Sequence, residues 1–201
     1  MGVQTDVQVK FIADENAADP DRLVTAARPN TSATMAATTF LGGGARNVTV
    51  TTAGTGDNNK TCTITGTDVF GNAITEVITS TGSAEAVAGA TLFLTVSAVE
   101  CSAQYAANIT VGSGSLCASA VAGGGRTRLK GYSIVSAGTA GLVDFFNGTP
   151  DSGTIIFKAQ TIGTDNSTVD NTIPDEGMLF KDGLSVKYTV ATVVLANVFF
   201  A

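Results

Sequence analysis

Apolar and small polar residues alternate at period two through most of this chain, as in Asn47-Val48-Thr49-Val50-Thr51 and Thr61-Cys62-Thr63-Ile64-Thr65. Successive side chains of a strand point to opposite faces of a sheet, so the pattern calls for half-buried β-strands and does not fit the 3.6-residue period of an amphipathic helix. Gly, Asn and Asp cut these segments at hairpin spacing, where they supply positive φ at low cost. The 30 Thr and 23 Gly among 201 residues belong to the same picture: β-branched Thr fits a pleated surface, and Gly serves the turns.

Candidate strands fall at about 46–53, 60–67, 73–80, 91–100 and 106–112. A second series starts near Leu129 and continues at 141–147, 154–161, 177–181, 184–190 and 192–200. Turn chemistry separates them: Gly54-Thr55-Gly56-Asp57-Asn58-Asn59, Phe70-Gly71-Asn72, Pro150-Asp151-Ser152-Gly153 and Lys181-Asp182-Gly183. The run Val121-Ala122-Gly123-Gly124-Gly125 interrupts every periodicity and reads as an interdomain linker. Residues 1–44 lack strand alternation, cluster Asp14, Glu15, Asp19 and Asp21, and carry Pro20 and Pro29, which limit any helix. The expected architecture is therefore all-β, with two antiparallel β-sandwich domains in tandem at 45–122 and 126–201. An extended N-terminal arm over 1–44 would precede them and become ordered only against a neighbouring subunit. Phe145, Phe157, Phe180, Tyr188 and Phe199 are the aromatic core candidates of the second domain.

The chain contains no His, which removes Ser-His and Cys-His nucleophilic catalysis in their usual form, and no Ser-x-x-Lys stands in for them. Paired carboxylates for glycoside cleavage need a cleft lined with aromatic rings, yet Trp is absent and aromatics are only 6%. The candidates Asp144 and Glu76 lie on opposite sides of the expected linker and read as surface carboxylates. Cys62, Cys101 and Cys117 are too dispersed for a transition-metal cluster and read as buried free thiols, with Cys62 sharing the inward parity of Ile64. Residues 165–171, Asp165-Asn166-Ser167-Thr168-Val169-Asp170-Asn171, offer hard oxygens for calcium but lack the glycine and glutamate spacing of an EF-hand, and read as a polar loop. Gly42-Gly43-Gly44 and Gly123-Gly124-Gly125 lack the Lys-Ser/Thr ending of a phosphate-binding loop and read as connectors. The sequence thus assigns no catalytic, cofactor-binding or metal-binding residue, requires no cofactor, and describes a protein that is not an enzyme.

Net charge is −6, with Lys and Arg scattered singly, which excludes the basic stripe that nucleic-acid binding needs. No apolar run of about 18 residues is present to span a membrane as a helix. The start, Met1-Gly2-Val3-Gln4-Thr5-Asp6, lacks the basic and apolar regions of a signal peptide, so synthesis and folding in a cytoplasm are expected. Six N-x-[ST] sequons follow from the abundance of Thr and Ser and carry no meaning in that setting. Only 14% of residues are charged while 44% are hydrophobic, a low charge for a surface meant to stand alone. Partner proteins or further copies of the chain are expected to cover part of it, a homotrimer being the first choice.

The run from Ile64 to Thr79, containing Thr65-Gly66-Thr67-Asp68, Gly71-Asn72 and Thr75-Glu76, is followed by Phe93-Leu94-Thr95-Val96-Ser97 and Asn108-Ile109-Thr110-Val111-Gly112. It resembles the small β-rich virion structural proteins of tailed bacteriophages, marine and cyanobacterial phages in particular. Phe145-Phe146-Asn147-Gly148, Ile173-Pro174-Asp175-Glu176-Gly177-Met178 and the closing segment from Tyr188 to Phe199 resemble a β-sandwich module of similar proteins. The resemblance covers most of residues 45–201. It implies a non-enzymatic virion component made in the host cytoplasm, with capsid decoration or cementing as the first reading. A tail-associated fibre, knob or adaptor subunit is the second, and the implied partners are the major capsid protein or other virion proteins.

Overall fold

A computed structural model of the chain describes residues 7–13, 17–82 and 84–201. The fold is all-β. In chain order the described strands are β1 (Gln8–Ile12), β2 (Val24–Ala27), β3 (Ala45–Thr52), β4 (Thr61–Thr67), β5 (Ala73–Thr79), β6 (Ala86–Phe93), β7 (Thr95–Cys101), β8 (Ile109–Ala122), β9 (Thr127–Ser136), β10 (Leu142–Asn147), β11 (Thr154–Gln160), β12 (Thr168–Thr172), β13 (Met178–Phe180), β14 (Leu184–Thr189) and β15 (Val193–Phe200). Single 3-10 turns at Thr55–Asp57 and Val190–Thr192 are the helical elements among the described residues. The chain divides into two compact units, 16–117 and 1–15 with 118–201, and the division falls within β8.

In the unit formed by 16–117, β4 is the centre of a three-stranded antiparallel sheet with β5 and β7 on its two sides. β3 pairs with β6, and β2 with β8. Inward residues of these strands, including Val48, Val50, Ile64, Phe93 and Ile109, form one core. Leu23, Val24 and Phe40 belong to that same core, although they lie in the expected arm. Backbone bonds run from Leu23 N to Val111 O (2.9 Å), Ala33 N to Val99 O (2.9 Å) and Val96 N to Thr38 O (2.9 Å). At Gly112 the backbone of 19–21 packs so closely that a Cβ would overlap the Asp19 carbonyl, and Ser113 N donates to that carbonyl at 2.7 Å. The described part of 17–40 is thus built into this unit rather than held out as an arm. Its strand alternation is missing from the sequence because it is tied mainly by single backbone bonds and bridges. Asp14 and Glu15 lie outside the described residues.

In the other unit, β15 lies between β1 and β9, and the far side of β9 takes β12 and then β13 along its length. A second layer holds β10 between β11 and β14. Tyr132 of β9 meets Phe145 of β10 and Phe157 of β11 at centroid distances of 5.6 and 5.7 Å, and the two Phe rings lie 5.6 Å apart. These tilted contacts join the layers in sandwich-like packing. Phe145, Phe180 and Tyr188 are buried as expected, but Phe199 is not: the residue is 36% exposed, because its parity in β15 places it on the outer face beside Val9. Phe145 and Phe146 are both buried although they are consecutive, and a register shift between them in the pairing with β11 accounts for it.

The glycines expected to link two domains make the turn from β8 to β9. Gly124 and Gly125 have φ of 52° and 136°, and Gly125 O accepts the amide of Gly183 at 2.9 Å. The expected strand at 91–100 is two strands, β6 and β7, with Leu94 between them. Much of β6, Ala86-Val87-Ala88-Gly89-Ala90, has little β-propensity of its own and owes its extended form to pairing with β3.

Candidate functional site

The densest polar constellation of the 16–117 unit starts from the 3-10 turn Thr55–Asp57. The turn buries Asp57 completely, and its carboxylate receives Lys60 Nζ at 2.8 Å, Ala106 N at 2.6 Å and Ala107 N at 3.2 Å. Burial pushes the Asp57 carboxyl up, but the Lys60 bond and the two amide bonds together outweigh it and hold the group below its ordinary range. Lys60 Nζ also donates to Gln104 O at 2.5 Å and lies 5.4 Å from the centroid of Tyr105. The turn Gln104–Ala107 is thereby pinned to the start of β4.

Tyr105 carries the constellation inward. Its ring is buried, with Oη 3.3 Å from Ser80 Oγ and 3.2 Å from Cys62 Sγ. Ser80 Oγ donates toward Asp57 O (2.9 Å) and Lys60 O (2.7 Å). Cys62 faces Cys101 directly across β4 and β7, with the sulfurs 3.7 Å apart. Cys62 shares hydrogen bonds with the Cys101 thiol and the Tyr105 hydroxyl, and the two thiols titrate as a pair in which the shared bond, with burial, drives the Cys101 thiol far upward. Tyr105 is likewise raised, first by burial and then by its bond to Cys62.

The constellation thus links the turn Thr55–Asp57, the loop 104–107 and the paired strands β4 and β7 through one connected set of hydrogen bonds. The other residues weighed from sequence are engaged in the same way. Glu76 Oε1 accepts Ala90 N (2.7 Å) and Thr91 N (3.3 Å), and Asn47 donates to Gly89 O (3.0 Å) while accepting Leu116 N (3.0 Å). Together they clamp the irregular stretch of β6 where the register against β3 shifts. Asp144 lies opposite Lys158 and Lys187 in register and sits 3.4 Å from Lys158 Nζ. Glu76 and Asp144 belong to different units and do not share a cleft within either.

Of the loop 165–171, residues from Thr168 onward are strand β12, and Asn166 takes the left-handed conformation (φ 60°) in the turn before it. Among the described residues, no three His, Cys, Asp or Glu side chains come together as metal ligands. Gly42 and Gly43, at φ of 87° and 82°, form the turn leading into β3. Among the described residues, no helix is long and apolar enough to cross a membrane.

Apolar side chains on sheet edges are the surface feature that sequence reasoning did not locate. β1 ends its sheet, and Val7, Val9 and Phe11 stand more than half exposed on one face, with Phe199 directly opposite Val9. β11 ends the other layer of the same unit and exposes Ile155 and Ile156; Ile162 just after it and Leu142 at the start of β10 are exposed as well. The alternation in Val7-Gln8-Val9-Lys10-Phe11 was the available signal for β1, but only the pairing with β15 decides which parity faces outward. No family model, curated protein or solved structure matches the chain.

Proposed function

We propose that this chain is a non-enzymatic structural component of a bacteriophage virion, a capsid decoration or cement protein that stabilises the shell. The observation that carries the reading is the pair of exposed apolar edge strands, β1 with Val9, Phe11 and Phe199, and β11 with Ile155 and Ile156, on a chain of only 14% charged residues. Soluble proteins that work alone blunt such edges with charge or cover them, because an unpaired edge pairs with whatever strand it meets. Edges left apolar serve contacts with other subunits, here further copies of the chain as a homo-oligomer, a trimer in the first instance, and the major capsid protein. The buried Asp57 carboxylate is taken up in holding the turn 55–57 to the loop 104–107, which accords with a scaffold.

Purified particles test the reading. Quantitative mass spectrometry should find hundreds of copies per virion, and particles lacking the protein should lose integrity at lower temperature or under osmotic shock. A copy number of about 6 to 18 moves the protein to the tail as a fibre, knob or adaptor subunit, as the symmetry of closed assemblies dictates. Absence from particles overturns the virion reading altogether.

A further inference from the structure

We infer that Cys62 and Cys101 form an oxidation site for hydrogen peroxide, at which a cross-strand disulfide closes between β4 and β7. The two residues are register partners in an antiparallel ladder, with both side chains on the buried face. Cys101 N turns away from β4 and donates to Thr31 O, while the neighbouring Ser102 N donates to Thr61 O at 3.0 Å. Cys62 and Cys101 therefore occupy a non-hydrogen-bonded pair, the site of an antiparallel ladder where Cα atoms come closest, about 4.5 Å apart, and that spacing lies within the range a disulfide spans. The sulfurs, already 3.7 Å apart, have only to rotate toward each other to reach bonding distance, about 2.05 Å. Of the two residues Cys101 retains 8% exposure and Cys62 none, so the Cys101 side is the nearer to solvent for a small oxidant.

The chemistry balances within the pair. A thiolate sulfur attacks one oxygen of peroxide and cleaves the O–O bond, giving a sulfenic acid and one water once the leaving hydroxide takes up the thiol proton. The second sulfur then attacks the first, loses its own proton, and expels the sulfenic oxygen as a second water. Two electrons pass from the sulfurs to the peroxide. The two sulfurs share one contact at 3.7 Å and titrate as a pair, so the attacking and resolving roles belong to the pair. Once the bond has formed, Ser80 Oγ at 3.3 Å remains as a partner for the Tyr105 hydroxyl. This inference stands apart from the virion reading, since it depends only on the geometry of one ladder.

The native protein is treated with hydrogen peroxide, unfolded in denaturant containing iodoacetamide, and cleaved after Glu76, Glu100 and Tyr105, which places the three cysteines on separate peptides. The expected product is a loss of 2 Da with Cys62 and Cys101 linked and Cys117 alkylated. The oxidised chain should melt higher than the reduced one by roughly 5–10 °C, a gain reversed by dithiothreitol. Cys101→Ala should abolish both the link and the gain, and if that variant does not fold, the mapping on the natural chain decides alone. Recovery of both thiols as alkylated peptides, a link through Cys117, or oxidation that stops at sulfinic acid overturns the inference.

Discussion

Asp57 and Lys60 form a salt bridge of 2.8 Å in which the carboxylate is fully buried and the lysine side chain is 22% exposed. The asymmetry means that the two partners contribute unequally. Removing Asp57 leaves the amides of Ala106 and Ala107 without their acceptor, whereas removing Lys60 leaves a carboxylate still held by both. Asp57→Ala should therefore lower unfolding free energy by about 2–4 kcal/mol, and Lys60→Met by no more than about half of that. Chemical denaturation of the two variants beside the parent checks the order.

The same carboxylate predicts an acid limb of stability. Its folded pKa lies below the unfolded value, so its contribution is complete above about pH 4 and is lost as pH falls through the folded pKa. Denaturant midpoints measured from pH 6 to pH 2 should fall in that window. Asp57→Asn should start lower and show a shallower fall.

Tyr105 predicts the opposite limb. Burial and its bond to Cys62 raise the phenol above its ordinary value, so the folded state keeps the proton after an unfolded chain has released it. Stability from this group is complete below about pH 10 and is lost as pH rises toward the folded pKa. In an alkaline titration followed by tyrosinate absorbance, Tyr105→Phe should remove a step that lies above the ordinary tyrosine range. It should also cost about 1 kcal/mol in neutral buffer through the lost bonds to Cys62 and Ser80.

The buried Asn47 side chain donates to Gly89 O in the irregular part of β6 and accepts Leu116 N of β8. Asn47→Ala should cost roughly 2–3 kcal/mol by leaving Gly89 O and Leu116 N unpaired. Hydrogen exchange should speed up at Leu116 before it does so in β4.

The exposed edges predict a variant that folds but does not associate. Phe11→Lys combined with Ile156→Lys should change unfolding free energy by about 0.5 kcal/mol or less per site, as exposed positions do. In sedimentation velocity the parent should self-associate at micromolar concentration and the double variant should remain monomeric.

Period two by itself determined the β class and most strand positions, since alternation and turn residues are local properties: β3, β4, β5, β10 and β11 lie within one or two residues of where the pattern puts them. The absence of His likewise removes Ser-His and Cys-His chemistry by composition alone. Pairing decided the rest. β6 and β12 are strands because β3 and β9 present edges to them, and their own Ala, Gly, Asp and Asn residues argue for loops. Leu23 and Val24 are core because β8 lies beside them, a long-range relation that no local window contains. The parity of Val9 and Phe199 became an exposed apolar face only when β1 paired with β15, and Cys62 met Cys101 only when β4 took β7 as its neighbour. Sequence spacing fixes which residues share a strand face, but which faces and strands meet is set by burial of the whole core, a property of the folded chain.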